Sequence, residues 1–110
     1  MTKTKNFFFI DKQDDIYTVS MTPELQDDLG TVGYVDFIDV EQIDENEPFL
    51  NLEAAKTVFE AQSPIKGKIV ERNTAAEENP ELLNSEKTEE NWLIKLTDVD
   101  EGTFESLEDA

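Results

Sequence analysis

Phe49-Leu50-Asn51-Leu52-Glu53-Ala54-Ala55-Lys56-Thr57-Val58-Phe59-Glu60-Ala61-Gln62-Ser63-Pro64 reads as two strand-like arms folded about a short apex, Ala54-Ala55-Lys56. A lysine at a hairpin apex has its amine held away from the body, and small neighbours leave it uncrowded. An enzyme that acylates one lysine needs that geometry. Polar turns are also common, so the local sequence leaves a second reading open, in which Lys56 is only a solvated turn residue.

Apolar runs recur on both sides of this hairpin, with turn residues between them: Phe7 to Ile10, Ile16 to Val19, Val32 to Ile38, Pro48 to Leu52, Thr57 to Ala61, Lys68 to Val70 and Trp92 to Leu96. This spacing predicts an antiparallel sandwich or barrel, a mainly β chain with small helical additions. Three stretches read as short helices. In Thr22-Pro23-Glu24-Leu25-Gln26-Asp27-Asp28-Leu29-Gly30, Thr22 suits the cap, Pro23 the first helical position and Gly30 the left-handed stop. Asn79 to Leu83 repeats the cap-then-proline pattern, and Thr103 to Leu107 forms a terminal turn burying Phe104 and Leu107. Asp39 to Glu47 and Asn73 to Glu90 have the composition of surface connections. Trp92 is expected in the core.

The 110 residues fit a single domain, 1–110, with material for one modest core. Acidic residues number 27 against 9 basic ones, a net charge of -18 that repels phosphate backbones and anionic lipid, so nucleic acid and membrane are not expected partners. Seven Phe and several β-branched runs supply the apolar residues that a disordered acidic tail lacks. The absence of Cys excludes disulfides and thiolate chemistry, and the absence of His removes the commonest general base and zinc ligand. No metal site or catalytic residue is expected. The apolar stretch Phe7 to Ile10 is far shorter than a signal segment, so a cytoplasmic location is expected.

Leu52-Glu53-Ala54-Ala55-Lys56-Thr57 resembles the Glu-Ser-Val-Lys-Ala lipoylation motif of glycine-cleavage H proteins, with Glu53 three residues before the lysine. Tyr17-Thr18-Val19 through Thr22, Gln26, Leu29 and Gly30 resembles the family's Tyr-Thr-Val-Gly-Ile-Thr segment and Gln-x-x-Leu-Gly helix end. Ser63 to Asn73 is similar to the turn and strand after the lysine hairpin. Asn79-Pro80-Glu81-Leu82-Leu83-Asn84 is similar to Ser-Pro-Glu-Leu-Val-Asn, and Trp92 to Leu96 to the closing strand. These motifs fall in collinear order across residues 17 to 96, which overturns the solvated-lysine reading.

The resemblance implies a lipoyl-domain-type flattened sandwich, or hybrid barrel, of two antiparallel sheets with two or three short helices. It implies lipoate in amide linkage to Lys56, on a hairpin at about 49–64. The chain is then a carrier, not an enzyme: its arm accepts an aminomethyl group or electrons and presents them to partners. Those implied partners are a lipoate–protein ligase, dihydrolipoyl dehydrogenase, and glycine cleavage subunits or a 2-oxoacid dehydrogenase complex. Glu53 and Glu60 are candidate ligase-recognition residues, with exposed carboxylates of no function as the alternative.

Departures from the family fall on faces and ends. Asn6-Phe7-Phe8-Phe9 replaces a His-Glu-Trp region, Glu24 stands at a His or aromatic position, Asn46 takes a turn-glycine position, and the C-terminal helix is a stub. This pattern is similar to the H-like proteins of Gram-positive bacteria, which are associated with a lipoate ligase, a macrodomain protein and a sirtuin-type ADP-ribosyltransferase. For such a protein an acidic acceptor of ADP-ribose is implied, and Asp27, between Glu24 and Asp28, is the candidate on the helix face expected toward the hairpin. Two rival readings are a biotin-carrier-type domain and a non-enzymatic acidic binding protein. Biotinyl lysines lie between two Met, whereas Ala55 and Thr57 flank Lys56. The acidic-binder reading leaves the ordered motifs unexplained.

Overall fold

Burial alternates with a period of two along the first apolar runs: Phe8 and Ile10, then Tyr17 and Val19, turn inward, while Phe9, Asp11 and Thr18 stay half-exposed. In the computed structural model, which describes residues 1–110, these runs become β2 (Phe8–Gln13) and β3 (Ile16–Met21), preceded by β1 (Thr2–Lys5). Helix α1 (Pro23–Leu29) leads to β4 (Val32–Phe37), β5 (Gln42–Ile43), the hairpin β6 (Pro48–Ala54) and β7 (Val58–Gln62), and β8 (Gly67–Arg72). One-turn helices α2 (Ala75–Glu78) and α3 (Thr88–Asn91) bracket a 3₁₀ segment at Pro80–Asn84. The chain then runs through β9 (Trp92–Thr97), α4 (Glu101–Glu105) and β10 (Glu108–Asp109).

All pairings are antiparallel and fall into two sheets, ordered β10-β1-β2-β3-β9-β8-β5 and β4-β6-β7. The sheets do not join into a barrel, so the sandwich is the architecture. Side chains from both meet in one cluster of 22 buried apolar residues. Phe8 of the large sheet and Phe49 of the small one face each other with ring centroids 6.2 Å apart, and Phe104 packs edge-on to Tyr17 at 5.0 Å. No helix is long and apolar enough to cross a membrane.

Each of the seven apolar runs underlies a strand. The short polar or acidic strands β1, β5 and β10 were not foreseen, because their ladders owe little to apolar side chains. Helix α1 starts and stops as its sequence predicts: Leu25 N–H donates to Thr22 Oγ1 at 3.1 Å, and Gly30 ends it with φ 75°. The Pro80 segment is 3₁₀, and α4 starts at Glu101, two residues before the expected Thr103, because Asp100 caps it through Thr103 N–H. Helices α2 and α3 exceed the two or three expected. Each is four residues long and buries one residue, Ala76 or Asn91, so neither leaves an apolar period in the sequence.

Trp92 is not in the core. Leu93 has no partner on β3, since Val19 pairs with Ile94 and Ser20 with Trp92. This bulge buries Leu93 and Ile94 together and turns the half-buried Trp92 to the outer face, where Lys95 Nζ lies 4.9 Å from its ring.

β10 returns to β1, and there the buried Lys3 donates to Asp109 at 2.6 Å. That hydrogen bond, reinforced by the ammonium charge, holds Asp109 below its ordinary value near 3.8. A lowered folded pKa favours the folded state above the unfolded value, and the contribution is lost as pH falls through the folded value. Asp109→Asn is therefore expected to lower the melting temperature at pH 7. The gap from wild type should narrow once thermal scans fall below pH 3.8 and through the lowered folded value, and a gap that does not narrow at the acid end contradicts the assignment.

Candidate functional site

The β6–β7 hairpin turns tightly. Glu53 pairs with Val58, Ala54 N–H donates to Thr57 C=O at 3.0 Å, and Ala55-Lys56 forms the apex. The apex rests on the end of α1, with Ala55 N–H donating to Thr31 C=O at 2.9 Å and Lys56 N–H to Leu29 C=O at 3.0 Å. These bonds satisfy two apex donors and one of the carbonyls that a helix terminus leaves unpaired.

The Lys56 side chain follows the same surface. Its amine is not held away from the body, as the hairpin alone suggests. It folds back so that Nζ donates to Asp27 C=O at 2.7 Å. The last turn of α1 has no basic residue, and the Lys56 ammonium supplies a cation at this negative helix end. Gly30 makes the approach feasible: a Cβ there would stand 3.2 Å from Lys56 Cγ and 3.3 Å from Ala55 Cβ. Lys56 remains exposed, and no carboxylate lies within ion-pair distance of it. By contrast, Lys3, Lys5, Lys12, Lys66 and Lys95 pair with Asp109, Glu45, Glu101, Asp44 and Glu71.

Beside the lysine lies an open depression of about 370 Å³, lined by Gln26, Asp27, Gly30, Thr31, Asn84 and Glu86 among others. Gln26 fixes its far wall by donating from Nε2 to Leu83 and Ser85 C=O, both at 2.8 Å. Asn84 accepts from Val32 N–H at 2.9 Å and tethers that wall to β4. A depression of about 400 Å³ on the outer face of the large sheet, around Phe9, Asp11 and Trp92, contains none of the hairpin residues.

A model of the glycine cleavage H-protein family matches residues 1–110. The chain belongs to this family. It is 52% identical over 110 residues to a glycine cleavage system H-like protein of Staphylococcus aureus, covering 100% of both chains. With the glycine cleavage system H protein of Thermotoga maritima it shares 36% identity over 107 residues, covering 96% of this chain and 86% of that one. The crystal structure of a glycine cleavage system H protein from Mycobacterium marinum superposes with a TM-score of 0.76 at 26% identity, covering 87% of this chain and 81% of that chain. Glycine cleavage H proteins are lipoyl carriers, not catalysts, and hold lipoate on a lysine.

In this H-family chain, α1 and the hairpin bring Asp27 and Lys56 together through the Asp27 carbonyl, while the Asp27 side chain is exposed, as are Glu24 and Asp28. Glu53 and Glu60 are exposed on one face of the small sheet, opposite Val58 and Asn51, and neither forms an ion pair. In the sequence Gly30 reads only as a helix stop, and Asn84 carries no sign of a site role. Gly30 and Lys56 are separated by three strands, β4 to β6, so no local pattern in the sequence announces the platform.

Gly30→Ala puts a side chain at φ 75° and against the lysine stem, and is expected to lower stability by about 1–3 kcal/mol. Amide exchange at Ala55 and Lys56 should accelerate more than at Val19 or Leu96 in the large sheet. Urea titration and exchange measured by NMR test this, and unchanged protection at Lys56 contradicts the platform role.

Proposed function

We propose that this chain is a single-domain lipoyl carrier of the H-like type, acylated on Lys56. The observation that supports it is the apex lysine itself: exposed, flanked by Ala55 and Thr57, and held by one backbone carbonyl instead of a carboxylate. Acylation requires Nζ to lose a proton and attack an activated acyl carbonyl, whose leaving group departs with the bonding electron pair as the amide forms. Moving Nζ to an acylating enzyme costs this protein one hydrogen bond and no ion pair. The bound lipoyl dithiolane supplies redox and group-transfer chemistry, and the protein supplies presentation. A covalent tether raises the effective concentration of that group at a partner's site.

The partners in this reading are a lipoate–protein ligase, guided by Glu53 and Glu60, and dihydrolipoyl dehydrogenase. Glycine cleavage subunits or a 2-oxoacid dehydrogenase complex receive the arm, in the cytoplasm. A biotin-carrier role is disfavoured by the Ala55 and Thr57 neighbours. Wild-type protein incubated with ligase and lipoate should gain the mass of one lipoyl group, whereas Lys56→Arg, which keeps the charge without an acylatable amine, should gain none and retain its fold. Full loading of the variant places the arm elsewhere.

Regulation by a sirtuin-type ADP-ribosyltransferase, reversed by a macrodomain protein, belongs to the same reading, with Asp27 as acceptor. Loading replaces the Lys56 ammonium on the Asp27 carbonyl with a neutral amide nitrogen, so the surroundings of Asp27 depend on the state of the arm. ADP-ribose there adds bulk and negative charge beside the hairpin and obstructs a partner's approach. Loaded protein treated with the transferase and NAD should be labelled at Asp27 and unloaded protein should not. Equal labelling by peptide mass spectrometry removes the loading requirement.

A further inference from the structure

Open sheet edges present rows of unpaired N–H and C=O groups, and folded proteins blunt them with very short strands or covering groups. Three of the four edges here are blunted. β10 and β5, which bound the large sheet, are two residues each. Along β4, Asn84 engages both Val32 N–H, at 2.9 Å, and Val32 C=O, at 3.4 Å, and Glu77 Oε2 accepts from Phe37 N–H at 3.1 Å.

The fourth edge is β7. It is five residues long, contains neither Lys nor Pro, begins two positions after Lys56, and pairs on one side only. Because Ala54 N–H donates to Thr57 C=O, that pair is hydrogen-bonded, and bonded and non-bonded pairs alternate along an antiparallel ladder. Glu53–Val58 and Asn51–Glu60 are therefore non-bonded pairs, and the main-chain groups of Val58 and Glu60 face outward. Thr57 Oγ1 donates to Val58 C=O at 3.0 Å, which leaves that carbonyl one free lone pair and the Val58 N–H facing outward. The Val58 side chain is itself 76% exposed.

We propose that β7 is a main-chain docking edge for the enzyme that acylates Lys56, an extended segment of which pairs with the outward groups of Val58 and Glu60. The inference rests on Lys56 being the acylated residue. Enzymes that use a loaded arm meet its far end and need no grip on the hairpin backbone. The acylating enzyme must bring Nζ itself to an acyl carbonyl, and strand pairing two residues away fixes the register that this requires. Charge selects the same occupant. A second copy would bring another net charge of -18 and place Glu60 against like charge, whereas a strand carrying basic side chains complements Glu53 and Glu60.

The test uses a lipoate–protein ligase supplied with lipoate and ATP. Val58→Pro removes an outward N–H at the first residue of an edge strand, where proline is tolerated, and Val58→Thr keeps the N–H and the β-branch. With circular dichroism unchanged, kcat/KM for loading Val58→Pro should fall roughly tenfold below that of Val58→Thr, the scale of one or two lost hydrogen bonds. Equal values overturn the proposal. Should the proline variant not fold, amide exchange in wild-type protein decides: saturating ligase should slow Val58 and Glu60, and unchanged exchange overturns the proposal. A concentration-dependent dimer that protects these amides without ligase overturns it in favour of a second copy. If wild-type Lys56 takes no lipoyl group in the same assay, the carrier reading fails and the edge proposal with it. Loading of wild type together with equal loading of the two variants removes the edge alone.

Discussion

The contact between the hairpin apex and the end of α1 orders everything around Lys56. A helix terminus leaves carbonyls without donors, and a tight hairpin leaves apex N–H groups without acceptors. Here the two deficits meet: Lys56 N–H takes the Leu29 carbonyl and the lysine ammonium that of Asp27, while Ala55 N–H takes the Thr31 carbonyl just beyond the helix. Gly30 is the hinge of this arrangement, because it ends the helix in a left-handed conformation and leaves room for the lysine stem. Gln26 and Asn84 extend the scaffold outward by binding the Pro80 segment to α1 and β4. The orientation of the lysine is thus set in part by backbone bonds that do not involve its side-chain nitrogen.

Charge is distributed with a related logic. In a chain carrying 27 carboxylates, five lysines are drawn into ion pairs, several of them between segments distant in sequence, such as Lys3 with Asp109 and Lys12 with Glu101. Exposed pairs add little to stability individually, yet they leave fewer uncompensated acids. Lys56 stands outside this system. In the carrier reading, acylating Lys56 would break no ion pair and would leave the five paired lysines undisturbed.

The strands were legible wherever an apolar face recurs with a period of two, which covers β2, β3, β4, β6, β7, β8 and β9. Helix α1 was legible because Thr22, Pro23 and Gly30 each have a local mechanism that acts within a few residues. The errors have equally specific causes. Trp92 was misplaced because a bulge at Leu93, set by pairing with β3, reverses the alternation of β9. β5 and β10 are two-residue partners of longer strands, and nothing in Gln42-Ile43 or Glu108-Asp109 encodes a strand in isolation. At the site, the apex lysine was visible in the sequence, but its folded-back conformation was not. The acceptor, Asp27, is 29 residues away, and the contribution of Gly30 is empty space, which a sequence does not display.

The central strand of the large sheet, β3, is flanked by β2, its neighbour in the chain, and by β9, which reaches it from the far end through pairs such as Tyr17 with Leu96. Closing that long loop is slow relative to zipping the β6–β7 hairpin, whose ends are adjacent in sequence. On a ribosome the delay is enforced, since β9 emerges after β4, β6 and β7 are all available. The lysine-bearing sheet and its hairpin therefore have the materials to assemble early in synthesis, while the sheet that seals the core must wait for β9 to emerge.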